Sequence, residues 1–203
     1  MNRFKLTYFD FDGGRGESIR LAFHIGGIGF EDVRLKFPQF QEAQPSFRFH
    51  ALPVVEIDGQ QITQSNSILR HVGKLAGLYP TDDLQALYCD EVMDAVEDLN
   101  HAVGKTFGLK GDAMKQARED FVKGRLATYI KGLDELLARG GGQYFADGRM
   151  TVADLKVFVE TRNLAKGTLD HVPTDIVEGL APALAEHRDR IANDPRVVAY
   201  SAR

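Results

Sequence analysis

The chain begins with a β-α-β pattern of hydrophobic positions. Residues 4–8 alternate between apolar and polar side chains, and this period of two indicates a β-strand. A glycine-rich turn at residues 12–16 leads into apolar positions at helical spacing, and Gly26-Gly27 ends that helix. The alternation returns at residues 33–35. The pattern therefore predicts two parallel strands that are joined by a right-handed helical crossover.

The next segment predicts a hairpin and a second helix. Residues 36–50 show no period and are rich in phenylalanine, so we expect them to be irregular. The turn dipeptide Asp58-Gly59 lies between two short β-type runs, which is a strong hairpin signal. Apolar residues at helical spacing follow at 68–75. The order β-α-β-loop-β-β-α is that of a thioredoxin-like domain.

Strand patterns are absent after about residue 82. Apolar residues recur every three or four positions from Leu84 to Val103 and again from Met114 to Leu137, so each run predicts one long amphipathic helix. A third helix is expected to begin at Thr151, where Asp154 suits a capping box. A last helix is expected after Pro182.

These patterns predict two domains separated by the linker Tyr79-Pro80-Thr81. Residues 1–79 form an α/β thioredoxin-like domain (βαβ-ββα) that would bind a small ligand. Residues 82–203 form an all-α helical bundle. The 203 residues are enough for two small domains of this kind.

Composition excludes several classes of function. The net charge of −4 gives no basic footprint for nucleic acid, and no apolar run approaches the ~20 residues of a membrane span. Residues 1–5 run directly into the strand pattern, so we expect no signal peptide. The single Cys89 excludes an intrachain disulfide or a paired-cysteine redox motif, and it fits a reducing, cytoplasmic location.

The most informative stretch runs from Ala51 to Ser65. Pro53 stands at the first residue of a strand, where its missing N–H group need not pair. If the Leu52-Pro53 bond is cis, the chain turns sharply and Leu52 presents its N–H and C=O groups outward. Gln64 and Ser65 then open a helix. This arrangement suggests a site that binds a peptide-like ligand by its backbone.

Taken in order, these features resemble the cytosolic glutathione S-transferases over nearly the whole chain. The resemblance is carried by Tyr8-Phe9, Arg15-Gly16-Glu17, Leu52-Pro53, Gln64-Ser65 and residues 150–155. No single motif is specific, but the ordered set with an all-helical second half is strong. Residues 4–9 look most like the sigma class, which includes glutathione-dependent prostaglandin D synthases and the lens crystallins of cephalopods.

The resemblance implies that Tyr8 and Arg15 are catalytic. A thiol with a pKa of ~8.5 is only about 3% ionised at pH 7, and a tyrosine O–H that donates to the sulfur favours the reactive thiolate. Arg15, near the start of the first helix, would add its charge to the helix dipole. A core tyrosine and a surface arginine are the structural alternatives. Asp10 and Asp12 would oppose ionisation unless they are solvated or paired, for example with Arg15.

The resemblance also implies where glutathione binds. Leu52, before Pro53, would pair with the cysteinyl backbone as a strand does, and Gln64 with Ser65 would bind the γ-glutamyl carboxylate at a helix start. Simple N-capping by Ser65 is the alternative. Asp98, supplied by the neighbouring subunit of a homodimer, would bind the γ-glutamyl ammonium.

The glycine end of glutathione is where this chain departs from its relatives. Phe40 and Gln44 fall where relatives hold the glycine carboxylate with a tryptophan and a lysine. A phenylalanine side chain cannot donate a hydrogen bond. Gln44 itself, Arg48 or Lys36 are the possible substitutes.

The resemblance further implies that residues 82–203 form the hydrophobic substrate pocket and part of the dimer interface. The chain has no tryptophan, so we expect Phe11, Val103 and Phe107 to line the hydrophobic substrate pocket. Phe49 is expected to contact the partner subunit, with packing inside its own chain as the alternative.

The first long helix carries a run of acidic residues, Asp90, Asp94, Glu97 and Asp98, at helical spacing. We expect a solvated acidic stripe, with a divalent ion at Asp94, Glu97 and Asp98 as the lesser alternative. No metal is expected to be required.

The predicted function is that of a dimeric, tyrosine-type glutathione transferase that conjugates glutathione to hydrophobic electrophiles in detoxification. A glutathione-dependent isomerase or peroxidase of the prostaglandin-synthase type is the first alternative. A non-enzymatic, crystallin-like ligand-binding protein is the second. A thioredoxin-like redox protein is disfavoured, because no cysteine lies near Leu52-Pro53 or the first helix.

Overall fold

A computed structural model describes residues 3–202 and contains one four-stranded sheet. The strands are β1 (Phe4–Phe9), β2 (Phe30–Leu35), β3 (Val54–Ile57) and β4 (Gln60–Thr63), in the order β2-β1-β3-β4. The β1–β2 pair is parallel and β3–β4 is an antiparallel hairpin, so both predicted pairings are confirmed. The expectation of no signal peptide rests on residues 1–5, and two of these, Met1 and Asn2, lie outside the described residues. The predicted domain limits at residues 1 and 203 lie outside them as well, and the two-domain division stays a prediction.

Three α-helices accompany the sheet, namely α1 (Gly14–Ile25), α2 (Phe37–Ala43) and α3 (Ser65–Leu75). The expectation that residues 36–50 are irregular is wrong, because α2 and a 3₁₀ turn at Gln44–Ser46 occupy much of this stretch. The Gln39 side chain accepts a hydrogen bond from the Lys36 N–H at 2.8 Å and so supports the start of α2. The rings of Phe37 and Phe47 lie 6.3 and 6.4 Å from that of Phe40, whereas Phe49 is exposed.

The second half is helical, as predicted. Its helices are α4 (Asp83–Gly104), α5 (Gly111–Phe121), α6 (Ala127–Arg139), α7 (Val152–Ala165), α8 (Ile176–Leu180), α9 (Pro182–Ala192) and α10 (Pro195–Ser201). The prediction of one helix from Met114 to Leu137 is wrong in detail, since a π-helical turn at Val122–Leu126 separates α5 from α6. The helix expected after Pro182 is α9, but α10 follows it, so it is not the last one.

Helix α7 lies at the centre of the molecule. All eight residues from Val152 to Val159 are buried, and the helix packs against α1, α3, α4 and α9. The predicted capping box is confirmed, with the Thr151 N–H donating to Asp154 at 2.7 Å. One continuous hydrophobic core includes buried residues of the sheet, α1, α3 and the helical half. Helix α7 therefore holds the two halves in a fixed relation.

None of the helices within residues 3–202 combines the length and the apolar character needed to cross a membrane.

Candidate functional site

The strands and helices α1 to α3 form the sheet half of the chain, and helices α4 to α10 form the helical half. A cleft of about 320 Å³ lies where the sheet half meets helix α4. Its walls are formed by Arg15, Phe49, Ala51, Leu52, Pro53, Thr63, Gln64, Ser65, Glu97 and His101. Five of the residues predicted to bind glutathione or to act in catalysis are thus brought together. They are Arg15, Leu52, Pro53, Gln64 and Ser65. The Leu52-Pro53 peptide bond is cis.

Tyr8 lies at the end of β1 and is held against the start of α1. Its hydroxyl oxygen accepts a hydrogen bond from the Arg15 backbone N–H at 3.0 Å. Two glycines make room for the ring, because a Cβ at Gly14 would lie 2.6 Å from the hydroxyl oxygen and a Cβ at Gly16 would overlap the ring atoms. Since the oxygen already accepts from Arg15, the O–H proton remains available to a ligand.

The environment keeps the Tyr8 phenol protonated. Burial raises the pKa of Tyr8 above its usual value of 10.0, while the Arg15 N–H and the charges of Arg15 and Arg20 act in the opposite direction without overcoming it. At neutral pH the side chain is therefore a hydrogen-bond donor and not a phenolate. A neutral donor of this kind stabilises an anionic sulfur better than a neutral thiol.

Glu97 is the centre of a polar network on the helical side of the cleft. Its carboxylate binds the Arg15 guanidinium, accepts from the Ser65 hydroxyl at 3.0 Å and binds Lys156 Nζ at 2.9 Å. Burial acts to raise the pKa of Glu97, but the charge of Lys156 and the contacts with Arg15 outweigh it and lower this pKa to about 2. Glu97 is therefore ionised at neutral pH and fixes Arg15 beside Tyr8.

The expectation of a solvated acidic stripe on α4 is confirmed only in part. Asp94 and Asp98 are exposed, whereas Glu97 is partly buried in the network described above. Asp90 is also partly buried and binds Arg70 of α3 at 2.9 Å. Part of the stripe is thus solvated, and part of it is paired with groups of other helices.

Gln64 has a strained backbone at the start of α3. Its φ of 71° and ψ of 107° lie outside the regions that non-glycine residues favour, and such residues cluster at functional sites. Gln64 occupies the N-cap position without a side-chain cap, and the Ser65 hydroxyl donates to Glu97. The alternative that Ser65 is the N-cap is therefore wrong. An uncapped helix start in the cleft wall suits a carboxylate ligand.

Besides Tyr8, three residues predicted to bind glutathione lie outside the walls of this cleft. The Phe40 ring packs on Phe9 with centroids 5.0 Å apart. The Gln44 side chain donates to the His50 carbonyl at 3.0 Å, and Asp98 accepts from the Tyr129 hydroxyl at 2.8 Å. Their roles stay predictions, and that of Asp98 concerns a partner subunit.

The three residues predicted for the hydrophobic pocket lie in different surroundings. Phe11 is 48% exposed and its ring lies 5.7 Å from that of Tyr8. Val103 is buried in the core, whereas the exposed Phe107 ring lies under the Arg118 guanidinium at 5.5 Å. Phe11 thus offers apolar surface directly beside the Tyr8 ring, and the other two stay predictions.

The acidic loop after Tyr8 does not use Arg15. Asp12 binds Arg34 at 3.1 Å and Asp10 lies 3.9 Å from the same guanidinium. The hydrogen bond from Arg34 lowers the pKa of Asp12. The aspartates are therefore paired, which the sequence analysis allowed, but their partner is Arg34, and Arg15 pairs with Glu97 instead.

Phe49 is 61% exposed, which is inconsistent with the alternative that it packs inside its own chain. Phe47, two residues earlier, is buried instead.

One contact of the site on α7 was missed by the sequence analysis. Lys156 is only 4% exposed and binds Glu97 at 2.9 Å. The available signal was a lone lysine within the apolar run 152–159. A buried charge in such a run needs a partner.

Comparisons with known proteins agree with this geometry. The family model described as "Glutathione S-transferase, N-terminal domain" matches residues 4–74, and "Glutathione S-transferase, C-terminal domain" matches residues 97–203. Glutathione S-transferase 1 of Ascaris suum is 33% identical over 77% of this chain and 78% of that protein. Hematopoietic prostaglandin D synthase of Gallus gallus is 28% identical over 98% of this chain and 96% of that protein. The solved structure of prostaglandin synthase D of Nilaparvata lugens superposes with a TM-score of 0.87 and 26% identity, covering 99% of this chain and 98% of that one.

Proposed function

Because the chain belongs to the glutathione S-transferase family, we propose that it uses the Tyr8 hydroxyl to hold the thiol of glutathione as a thiolate and conjugates it to hydrophobic electrophiles. Its relatives are named as transferases, and transferase chemistry with glutathione as co-substrate is the activity that the cleft supports best.

The observation that carries this proposal is the hydrogen bond from the Arg15 N–H to the Tyr8 oxygen. It leaves the Tyr8 proton free, and the raised pKa of Tyr8 keeps that proton in place. Lowering a thiol pKa from ~8.5 to ~6.5 requires about 2.7 kcal/mol. A hydrogen bond to a charged group contributes about 1.5–3 kcal/mol and a helix start about 0.3–1 kcal/mol, so Tyr8 and the start of α1 together suffice.

The cleft also accounts for the peptide part of glutathione. The backbone of Leu52 would pair with the cysteinyl residue in β-strand fashion. Gln64 and Ser65, at the start of α3, would bind the γ-glutamyl carboxylate. Glu97 adds a carboxylate within the same walls, beside which a γ-glutamyl ammonium can be held.

Conjugation of glutathione to chlorodinitrobenzene tests the proposal. At pH 7 the thiolate fraction falls from about 75% to about 3% when the thiol pKa returns to ~8.5, so Tyr8→Phe is expected to lose roughly 25-fold in kcat/KM. Glutathione binding is expected to persist. Tyr88→Phe, which removes a hydroxyl from a partly buried tyrosine on α4, is the matched control and should stay within about twofold of the wild type. Equal activity of Tyr8→Phe and the wild type would contradict the proposal.

The similarity to a named prostaglandin D synthase supports a sigma-class assignment and a second candidate function, glutathione-dependent isomerisation. The same thiolate would serve that reaction, but glutathione would be regenerated. Measuring whether glutathione is consumed with an endoperoxide substrate separates the two reactions. A crystallin-like role is less well supported, because the contact of Arg15 with the Tyr8 oxygen favours a catalytic role for Tyr8.

We further propose that the protein is a homodimer with a detoxifying role in the cytoplasm. Phe49, Ile62, Leu84 and Leu87 are large apolar residues that are 61%, 37%, 52% and 61% exposed. Such exposure on the cleft loop, β4 and α4 suits a contact with a second copy. The buried Cys89 is consistent with a reducing compartment.

A further inference from the structure

A second cavity, of about 430 Å³, lies against α1 and shares no lining residue with the glutathione cleft. Arg15 of α1 lines the cleft, whereas Glu17 and Arg20 of the same helix line this cavity. The other walls come from the loop after β1, from β2, from the end of α7 and from α10. The lining residues are Asp12, Glu17, Arg20, Phe30, Asp32, Arg34, Arg162, Lys166, Tyr200 and Ser201. Glutathione binding in the cleft therefore does not account for this cavity.

On the β2 side of the cavity, the charged side chains are paired with one another. Arg20 donates to Asp32 at 3.0 Å and to two backbone carbonyl oxygens at 3.2 Å each. Arg34 donates to Asp32 at 2.9 Å and to Asp12 at 3.1 Å, and Asp10 lies 3.9 Å from the same guanidinium. Both arginines on this side thus have carboxylate partners.

On the α7 side, the cations are short of partners. Arg162 is only 18% exposed, yet its one hydrogen bond within residues 3–202 is to Glu17 at 3.3 Å. Buried Arg162 Nε and Glu17 Oε2 have no hydrogen-bond partner in the same part of the chain. Glu17 is also shared with Arg20 at 3.6 Å. Lys166, one turn after Arg162, makes no side-chain hydrogen bond or ion pair with the described residues.

The charges around the cavity are balanced in number but not in placement. Four cations and four carboxylates surround it when Asp10 beside Arg34 is included. The hydrogen bond from Arg34 is the main cause of the lowered pKa of Asp12, and the charge of Lys166 contributes to it from α7. Lys166 thus acts across the cavity without an ion pair of its own.

Two neighbouring cations with unused donors suit an oxyanion. The planar fork of a guanidinium matches two oxygens of a carboxylate or a phosphate, and a lysine adds a mobile point charge. A phosphate group carries a charge of about −1.5 to −2 at pH 7, whereas a carboxylate carries a single charge. The pair of Arg162 and Lys166 therefore favours phosphate.

We propose that this cavity binds a small molecule that carries a phosphate group, with Arg162 and Lys166 holding the phosphate oxygens. Phe30 and Tyr200 line the same cavity and would contact the rest of the ligand. The volume of about 430 Å³ falls within the range of about 300–1,000 Å³ that is usual for small-molecule sites. The proposal does not depend on the transferase function.

Isothermal titration calorimetry of the full chain tests the proposal. Inorganic phosphate and glycerol 3-phosphate are titrated at constant ionic strength, with saturating S-methylglutathione to occupy the cleft. One molecule is expected to bind per chain, with a Kd in the low-millimolar range or below. Tighter binding of glycerol 3-phosphate would identify a phosphate ester as the ligand, and tighter binding of inorganic phosphate would identify free phosphate. Acetate is expected to bind more weakly than either.

Lys166→Gln removes one of the two cations at an exposed position, where the fold is expected to tolerate it. The Kd for the phosphate probe is expected to rise about tenfold, which is the lower end of the loss of one hydrogen bond to a charged group. Lys166→Arg keeps the charge and should retain binding. Lys131→Gln, at an exposed position on α6, is the matched control and should bind as the wild type does.

Four results would overturn the proposal. One is the absence of saturable phosphate binding by the wild type, and another is binding that S-methylglutathione abolishes, because the anion would then occupy the cleft. Equal weakening by Lys166→Gln and Lys131→Gln would show a general attraction to surface charge. Acetate binding as tight as phosphate binding would exclude a phosphate-specific site. None of these results bears on conjugation of chlorodinitrobenzene, so the transferase function is judged separately.

Discussion

At the scale of single residues, the geometry of the site depends on two glycines that leave space for the Tyr8 side chain. Gly14 and Gly16 carry no Cβ, and this allows the phenol to lie on the first turn of α1. The Tyr8 oxygen can then accept from the Arg15 N–H, which leaves its own proton available to a ligand. Any side chain at Gly14 or Gly16 would displace the ring.

Gln64 offers a test of strain at this scale. The φ angle of Gln64 is 71°, a backbone conformation that glycine adopts with less strain than other residues. The free energy of unfolding in urea is therefore expected to be about 1 kcal/mol higher for Gln64→Gly than for Gln64→Ala. Both variants lack the side chain that we place on the γ-glutamyl carboxylate. Their KM for glutathione is expected to rise by about tenfold or more, the loss of one hydrogen bond to a charged group. Equal stability of the two variants, or an unchanged KM, would refute this assignment.

The sequence was most informative for residues whose role is set by local structure. Arg15 at a helix start and Gln64-Ser65 after a hairpin line the cleft, and Tyr8 at a strand end accepts a hydrogen bond from Arg15, while their functional roles stay predictions. The contacts of Glu97 and Lys156 with the cleft residues were not predicted. Their roles come from contacts between residues far apart in the chain, such as the 82 positions between Arg15 and Glu97, and these depend on tertiary packing.

At the scale of helices and strands, predictability followed length. The 22 residues of α4 contain several hydrophobic repeats and were predicted as a helix. The 7 residues of α2 and the 5 of α8 contain too few repeats to show a period, and both were missed. The π-helical turn has a visible signal, since the buried Phe121 and Leu126 are separated by five positions instead of three or four.

The contact between α3 and α7 can be tested at Gly73. A Cβ at this position would lie 2.5 Å from Val152 Cγ1, so Gly73→Ala is expected to destabilise the protein by about 1–3 kcal/mol. Gly132→Ala on α6, where no atom lies within 4 Å of the added Cβ, is the matched control and should stabilise by up to about 1 kcal/mol. Denaturant unfolding measures both. Adding Val152→Ala to Gly73→Ala should cost less than the sum of the single changes. Similar effects of the two glycine substitutions would show that the helices do not meet as described.

At the scale of the whole molecule, residues from both halves of the chain line the cleft. The sheet half supplies Arg15, Leu52 and the start of α3, and the helical half supplies Glu97 and His101. Thiol activation is thereby assigned to the first half, and recognition of the electrophile is shared with the second.

The proposed dimer is also tested at this scale. Sedimentation equilibrium is expected to give twice the 22.6 kDa mass of one chain. Phe49→Asp should shift the protein toward the monomer, because it places a charge in the proposed apolar contact. Phe37→Asp is the matched control, since Phe37 is 62% exposed and Phe49 is 61% exposed. A monomeric wild type, or equal dissociation by both substitutions, would remove the proposed interface.

The central claim is that the neutral Tyr8 hydroxyl lowers the pKa of the glutathione thiol, and the direct measurement is that pKa in the bound state. Ultraviolet absorption of the thiolate can be followed against pH for wild-type and Tyr8→Phe complexes, with S-methylglutathione complexes as the baseline. We predict a bound-thiol pKa of ~6.5 in the wild type and a return toward ~8.5 in the variant. The same pKa in both proteins would contradict the role of Tyr8 in lowering the thiol pKa.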